Sequence, residues 1–148
     1  MRVLVLCHGN VNRSPVAAAV LAKFPGLDVR SAGFLPGGLR VAKKTREAMT
    51  RRGYNLELHR SVQVNEEMVK WAEWIVTMDE GNRSKLHKKY GEVAMTNAIR
   101  LGHWADPPIP RISDPLYMQR GARFEAVIDL IIQCSKRLGN YLTEKECA

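Results

Sequence analysis

Cysteine is scarce in this 148-residue chain, which has only three, Cys7, Cys134 and Cys147, an odd number at irregular spacing. That excludes a disulfide framework or a zinc site of paired ligands, and it points to a reducing compartment, the cytoplasm. Acidic side chains are also in the minority, 15 against 23 lysines and arginines, for a net charge of +8. The surplus suits an acidic partner, whether phosphorylated protein, nucleic acid or membrane surface. Nucleic acid is not expected, because the basic residues are dispersed and no helix-turn-helix or zinc pattern accompanies them. Long apolar runs are missing as well. The opening MRVLVLCHGN holds about six apolar residues, shorter than a signal-peptide core, and nothing nears the roughly 20 needed to span a membrane. A soluble chain with no membrane partner is expected, folded as a single domain over 1–148.

What is present is an alternation. Short apolar runs and longer amphipathic stretches recur four times, the pattern of a parallel sheet flanked by helices and hence of the α/β class. Val3 to Leu6 is a valine-rich run suited to a strand buried on both faces. Ser14 to Phe24 reads as a helix, with Ser14 as cap and Pro15 in the first turn. Leu27 to Ser31 is the second strand, and a basic helix from about Val41 to Arg52 stops at Gly53. Asn65 caps a short helix leading to Trp71, Trp74 to Met78 is the third strand, and Glu80 to Tyr90 is helical. Ala98 to Leu101 is the fourth strand. From Gly102 to Gly121 the chain holds Pro107, Pro108, Pro110 and Pro115, too many for a regular element, in a loop long enough to carry function. The last helix places Phe124, Val127, Ile128, Ile131, Leu138 and Leu142 at helical spacing.

The segment Cys7-His8-Gly9-Asn10-Val11-Asn12-Arg13-Ser14-Pro15 sets a thiol and a guanidinium at the two ends of a loop between a buried strand and a helix start. Successive amides of a tight loop converge on one point, the helix N-terminus adds positive charge, and Gly9 and Asn10 tolerate left-handed backbone angles. Such a cradle favours a thiolate at Cys7. Arg13 closes it with a planar fork that matches two phosphate oxygens. Ser14 can donate a hydrogen bond to the sulfur as it leaves. Sulfur would displace the alcohol or phenol, and water would then displace sulfur. The rival account, a buried thiol at a strand end, does not explain the glycine within, the Ser-Pro after and the helix that follows. No metal or organic cofactor is called for, because loop amides and Arg13 supply the positive charge.

With these residues the chain resembles the low-molecular-weight protein-tyrosine phosphatase family, whose N-terminal signature is Cys-x5-Arg-Ser-Pro. The resemblance spans nearly the whole chain and includes Ser31-Ala32-Gly33, His59-Arg60-Ser61, Met78-Asp79 and Asp114-Pro115. It implies a four-stranded parallel sheet in the order 2-1-3-4, helices on both faces, and the Cys7 loop at a topological switch point. It also implies hydrolysis of phosphate monoesters through a phosphocysteine on Cys7, with Arg13 binding phosphate. His8, Gly9, Asn10, Val11, Asn12 and Ser14 would form the phosphate loop and its rim. The leaving group needs a proton from a carboxylic acid. Asp114-Pro115 resembles the family's acid by its place before the final helix, whereas Asp106-Pro107 reads as a turn. By the same resemblance His59 buttresses Asn10. Tyr117 is the first candidate for an aromatic wall beside the substrate ring, ahead of Phe34 and Trp104. Trp71 and Trp74 read as core or helix-sheet contacts and Cys134 as an inert core thiol. Asp79 either borders the cleft or caps the next helix.

The chain departs from the family at two places. Asn12 stands where many members carry a second cysteine, which leaves Cys7 without a local resolving thiol and more open to irreversible oxidation. Leu116 precedes Tyr117 where two aromatics are usual, so the wall is incomplete. His8 and the basic stretch at Arg40, Lys43 and Lys44 would then admit an acidic peptide or another phosphate ester. The expected partner is a tyrosine-phosphorylated protein or a small phosphate monoester, met by a monomer or weak dimer. Two rivals share the loop. An arsenate reductase of this fold needs two further cysteines near the third strand, and none lies between Cys7 and Cys134. A phosphate-recognising module without turnover has no need to keep Cys7, Arg13 and Asp114 together.

Overall fold

The structure, a computed structural model, describes residues 1–147, with side chains through Lys145. The Cys147 side chain, expected from the sequence to sit in a frayed tail, lies outside the described residues. Strand β1 (Arg2–Cys7) runs parallel to β2 (Asp28–Gly33) on one side and β3 (Trp74–Thr77) on the other, and β3 pairs with β4 (Ala98–Arg100). The resulting order is β2-β1-β3-β4.

The two-residue period of β1 divides its apolar run between two layers. Val3, Val5 and Cys7 pack with Val16 and Val20 of α1 (Arg13–Leu21) and with Phe124, Ile128 and Ile131 of α6 (Ala122–Cys147). Leu4 and Leu6 face the opposite layer, where they meet Leu86 of α4 (Glu80–Tyr90), with Met68 of α3 (Glu66–Trp71) packed against it. A strand clothed on both faces has no use for polar alternation, which is why β1 reads as an unbroken apolar run. Its C-terminal end lies where the chain leaves in opposite directions to β2 and β3, the crevice in which ligands settle on open α/β sheets.

The helix ends follow their side chains. Asn65 caps α3 by accepting from the Met68 amide at 2.9 Å, and Asp79 caps α4 by accepting from the Asn82 amide at 2.8 Å. Helix α2 spans Lys43–Arg51, and a short α5 (Glu92–Met95), unannounced in the sequence, follows Gly91. Three expectations need correction. Helix α1 begins at Arg13, so Ser14 sits inside it and is not its cap. Strand β2 continues to Gly33, past the Ser31 expected from its apolar pattern. The proline-rich stretch also contains regular structure, 3-10 turns at Leu101–Trp104 and Pro115–Tyr117. Pro115 opens the second turn, where its missing N–H costs nothing, and the Asp114 carboxylate caps it.

Trp74 packs half-buried against the first layer and Trp71 against the second, the latter with the Arg30 guanidinium 4.1 Å from its ring centre. Cys134 is fully buried in the first layer, and burial pushes its thiol pKa up, away from reactivity. No helix among the described residues is long and apolar enough to cross a membrane.

Candidate active site

Cys7 ends β1 with only 3% of its surface exposed. Its sulfur faces the Asn10 backbone N–H at 3.2 Å and the Ser14 hydroxyl at 2.9 Å. Asn10 Nδ2 donates to Ser14 Oγ at 2.7 Å, so that oxygen is already an acceptor and its own proton is free to point at the sulfur. Two donors therefore converge on Sγ, an arrangement that stabilises a sulfur anion.

Asn10 is the keystone. With φ at 57°, it is the one non-glycine residue with a positive φ among those described. Its Oδ1 accepts from the Val62 amide at 3.0 Å, its Nδ2 also donates to Ser31 Oγ at 3.0 Å, and its carbonyl lies 3.0 Å from His59 Nε2. A carbonyl only accepts, so Nε2 carries the proton. Burial lowers the His59 pKa despite this bond, which keeps the imidazole neutral near pH 7. The rest of the loop is braced from outside. Phe34 N–H donates to the His8 carbonyl at 2.8 Å, Ala42 N–H to the Val11 carbonyl at 3.1 Å, and Thr45 Oγ1 to Asn12 Oδ1 at 2.6 Å. The His8 ring faces the rim, where the Lys85 ammonium donates to its Nδ1 at 2.8 Å.

Gly33 lets β2 approach this loop. A Cβ there would stand 2.9 Å from the Asn10 nitrogen, the Gly9 carbonyl carbon and the His8 oxygen, all backbone atoms. Gly33→Ala is thus expected to displace the loop, at a cost of about 1–3 kcal/mol in urea unfolding, together with weakened binding of inorganic phosphate. A variant with unchanged urea midpoint and phosphate affinity would show that the loop yields freely.

Arg13, 4% exposed, donates from Nη1 to Asp79 Oδ2 at 2.7 Å and to the Ile112 carbonyl at 2.9 Å, and its Nη2 lies 3.7 Å from Asp114 Oδ2. Asp79 thus fills both roles left open for it, since one oxygen caps α4 while the other orients Arg13. Burial alone would raise the Asp79 pKa, yet the hydrogen bonds from Arg13 and the Asn82 amide outweigh it and hold the carboxyl below its usual value. A depressed folded-state pKa means stability fully present above the unfolded value, about 3.9, and lost as pH falls through the lower folded one. Asp79→Asn leaves a buried guanidinium with the Ile112 carbonyl and, as its one remaining carboxylate, the more distant Asp114. We expect a loss of about 1–3 kcal/mol at pH 7, below the range for fully buried pairs because Asp79 keeps 26% side-chain exposure. Urea titrations from neutral to acid pH should show the gap between the two proteins shrinking below about pH 4; a constant gap would contradict this coupling.

Asp114 Oδ1 accepts from the Leu116 amide at 3.0 Å, and the turn after it is tied down by a residue whose place here has no local sequence signal. The Lys44 ammonium, on α2, donates to the carbonyls of Leu116, at 2.9 Å, and of Met118. Asp114, Asp79, Arg13 and Tyr117 line one cleft of about 740 Å³. Tyr117 projects into solvent, 91% exposed, and Leu116 beside it is also exposed. Asp106 is exposed and does not line this cleft. Trp104 does not reach it either, because its ring packs against Tyr141, with 5.6 Å between ring centres. Phe34 lines a separate depression with His8, Leu35 and Lys85.

A doubly wound parallel sheet whose switch-point loop joins a thiol to a guanidinium is the architecture of cysteine-based phosphatases. The family model described as low molecular weight phosphotyrosine protein phosphatase matches residues 2–147. The chain is 33% identical over 135 residues to the low molecular weight protein-tyrosine-phosphatase Ptp of Acinetobacter johnsonii, covering 89% of this chain and 91% of that one. It is 30% identical over 141 residues to a protein-arginine-phosphatase of Geobacillus stearothermophilus, covering 89% and 94%. The crystal structure of YfkJ from Bacillus subtilis superposes with a TM-score of 0.87 at 27% identity, covering 98% of this chain and 96% of that one. The chain belongs to the low molecular weight phosphotyrosine protein phosphatase family.

Proposed function

We propose that the protein hydrolyses phosphate monoesters, phosphotyrosine in proteins foremost, through a phosphocysteine on Cys7. The observation that carries this is the sulfur facing the Asn10 amide and the Ser14 hydroxyl, with the Arg13 guanidinium at the other end of the same loop. The Cys7 thiolate attacks phosphorus opposite the ester oxygen, the P–O bond breaks, and Asp114 gives the departing oxygen its proton. Water then attacks the phosphocysteine, Asp114 takes a proton from it, and the S–P bond breaks with the Ser14 hydroxyl hydrogen-bonded to the departing thiolate. Loop amides and Arg13 hold the non-bridging oxygens throughout, so the chemistry needs neither metal nor cofactor.

Tyr117 is the surface for the substrate ring, and its exposure leaves it free to lie against a phenyl group. A nucleophile that works as a thiolate suits the reducing cytoplasm. Reduction of arsenate is disfavoured because no cysteine lies between Cys7 and Cys134 and Cys134 is buried in the core.

The test is phosphate release from an aryl phosphate, a phosphotyrosyl peptide, a phosphoseryl peptide and phosphoarginine. Release from the first two in preference is expected. Faster release from phosphoarginine would shift the substrate toward that of the Geobacillus relative, and binding of the phosphopeptides without release from any would leave a recognition module.

A further inference from the structure

The cleft beyond Asp114 holds more positive charge than one phosphate group can use. Besides Arg13 it is lined by Arg111, Arg120 and Arg123. Arg13 is engaged by Asp79 and Ile112, and Arg120 by Glu47 at 2.8 Å. Arg111 and Arg123 are both exposed and have no ion-pair or hydrogen-bond partner among the described residues. The only carboxylates in the lining, Asp79 and Asp114, already face Arg13. Arg123 stands in the first turn of α6, beside the positive end of the helix dipole, where a cation is unfavourable to the helix. Neither arginine serves the fold through an ion pair or a hydrogen bond among the described residues, and both border the cleft that Arg13 lines. Scattered solvated arginines would have no reason to gather there.

We propose that this cleft is an anion subsite, in which Arg111 and Arg123 receive an acidic group carried by the substrate polypeptide near the scissile phosphate. The preferred substrate is then an acidic phosphopeptide. The inference rests on the phosphatase assignment of Cys7 and Arg13. A guanidinium fork pairs with two oxygens of a carboxylate or of a second phosphate, so the shared chemistry is a flanking anion. Peptides bearing either kind tell the two sources apart.

The experiment measures binding to Cys7→Ser protein, which prevents turnover, by fluorescence anisotropy. Phosphotyrosyl peptides of one length are compared with flanking glutamines, flanking glutamates or a neighbouring second phosphotyrosine. At low salt the anionic peptides should bind about tenfold more tightly than the glutamine peptide, and the gap should close as salt is added. Adding R111Q and R123Q should shrink the gap to under about twofold, while the urea midpoint confirms that the exposed substitutions leave the fold intact. Equal affinity for all peptides in the Cys7→Ser protein would overturn the proposal. So would a gap that survives the double substitution. Failure of the phosphatase assignment would show instead as no phosphate release by the unsubstituted protein, a separate measurement.

Discussion

Cys7→Ser is expected to lower phosphate release by on the order of 10⁶-fold, the scale of loss when a covalent nucleophile is removed. The oxygen of serine is far less acidic than sulfur, so it attacks only if a base takes its proton as it moves. None faces position 7 in that step, because the Asp79 carboxylate is held by Arg13 and the Asn82 amide and Asp114 enters the step as the acid. Asn10 N–H and the Ser14 hydroxyl both donate toward position 7, His8 Nδ1 accepts from Lys85, and the His59 Nε2 proton is held by the Asn10 carbonyl. What stabilises a thiolate therefore does nothing to activate an alcohol. The same variant should bind inorganic phosphate within a few-fold of the original, because the amides and Arg13 are unchanged. A residual turnover within tenfold of the original would mean that Cys7 is not the nucleophile.

Asp114→Asn is expected to lower kcat by about 10² to 10⁴-fold on phenyl esters with poorly acidic leaving groups, the range for a general acid. On an activated nitrophenyl ester the loss should be small, because that leaving group departs without a proton. One limb of the kcat pH profile should flatten with the substitution. Asp79 is the other carboxylate of the cleft lining. Its hydrogen bonds from Arg13 and Asn82 hold it ionised at neutral pH, so it has no proton to give. Asp106→Asn, outside the cleft, should stay within about twofold of the original. Equal losses on both esters, with the pH profile unchanged, would assign the proton to another donor.

Much of the fold was legible because its strongest elements are local. The apolar run of β1, the caps at Asn65 and Asp79 and the glycine stop at Gly91 are written in neighbouring residues. The loop from Cys7 to Arg13 was legible for the same reason, since its thiol and its guanidinium lie within one short segment. What escaped depends on distant chain. Ser14 has the composition of a helix cap, yet tertiary contact with Cys7 and Asn10 draws it into the first turn. Lys44 reads in the sequence as part of a basic stretch open to an acidic peptide, and only the path of the chain after Asp114 reveals it as a tether. Trp104 lies within the proline-rich segment, but its ring packs on Tyr141 of the long final helix instead. The pairing of Arg13 with Asp79 spans 66 positions and had no pattern to announce it.

The bracing of the loop by Ser31, Val62, His59, Ala42 and Thr45 means that its shape is set by protein atoms alone. A receptor shaped in advance for a tetrahedral oxyanion pays little ordering entropy on binding one, and it does not ask whether that ion still bears a side chain. Free orthophosphate, the end product, is then a competitor for the seat it has just vacated, and catalysis should slow as it accumulates. The rigidity that would speed each cycle also ties the rate to how quickly the surroundings carry phosphate away.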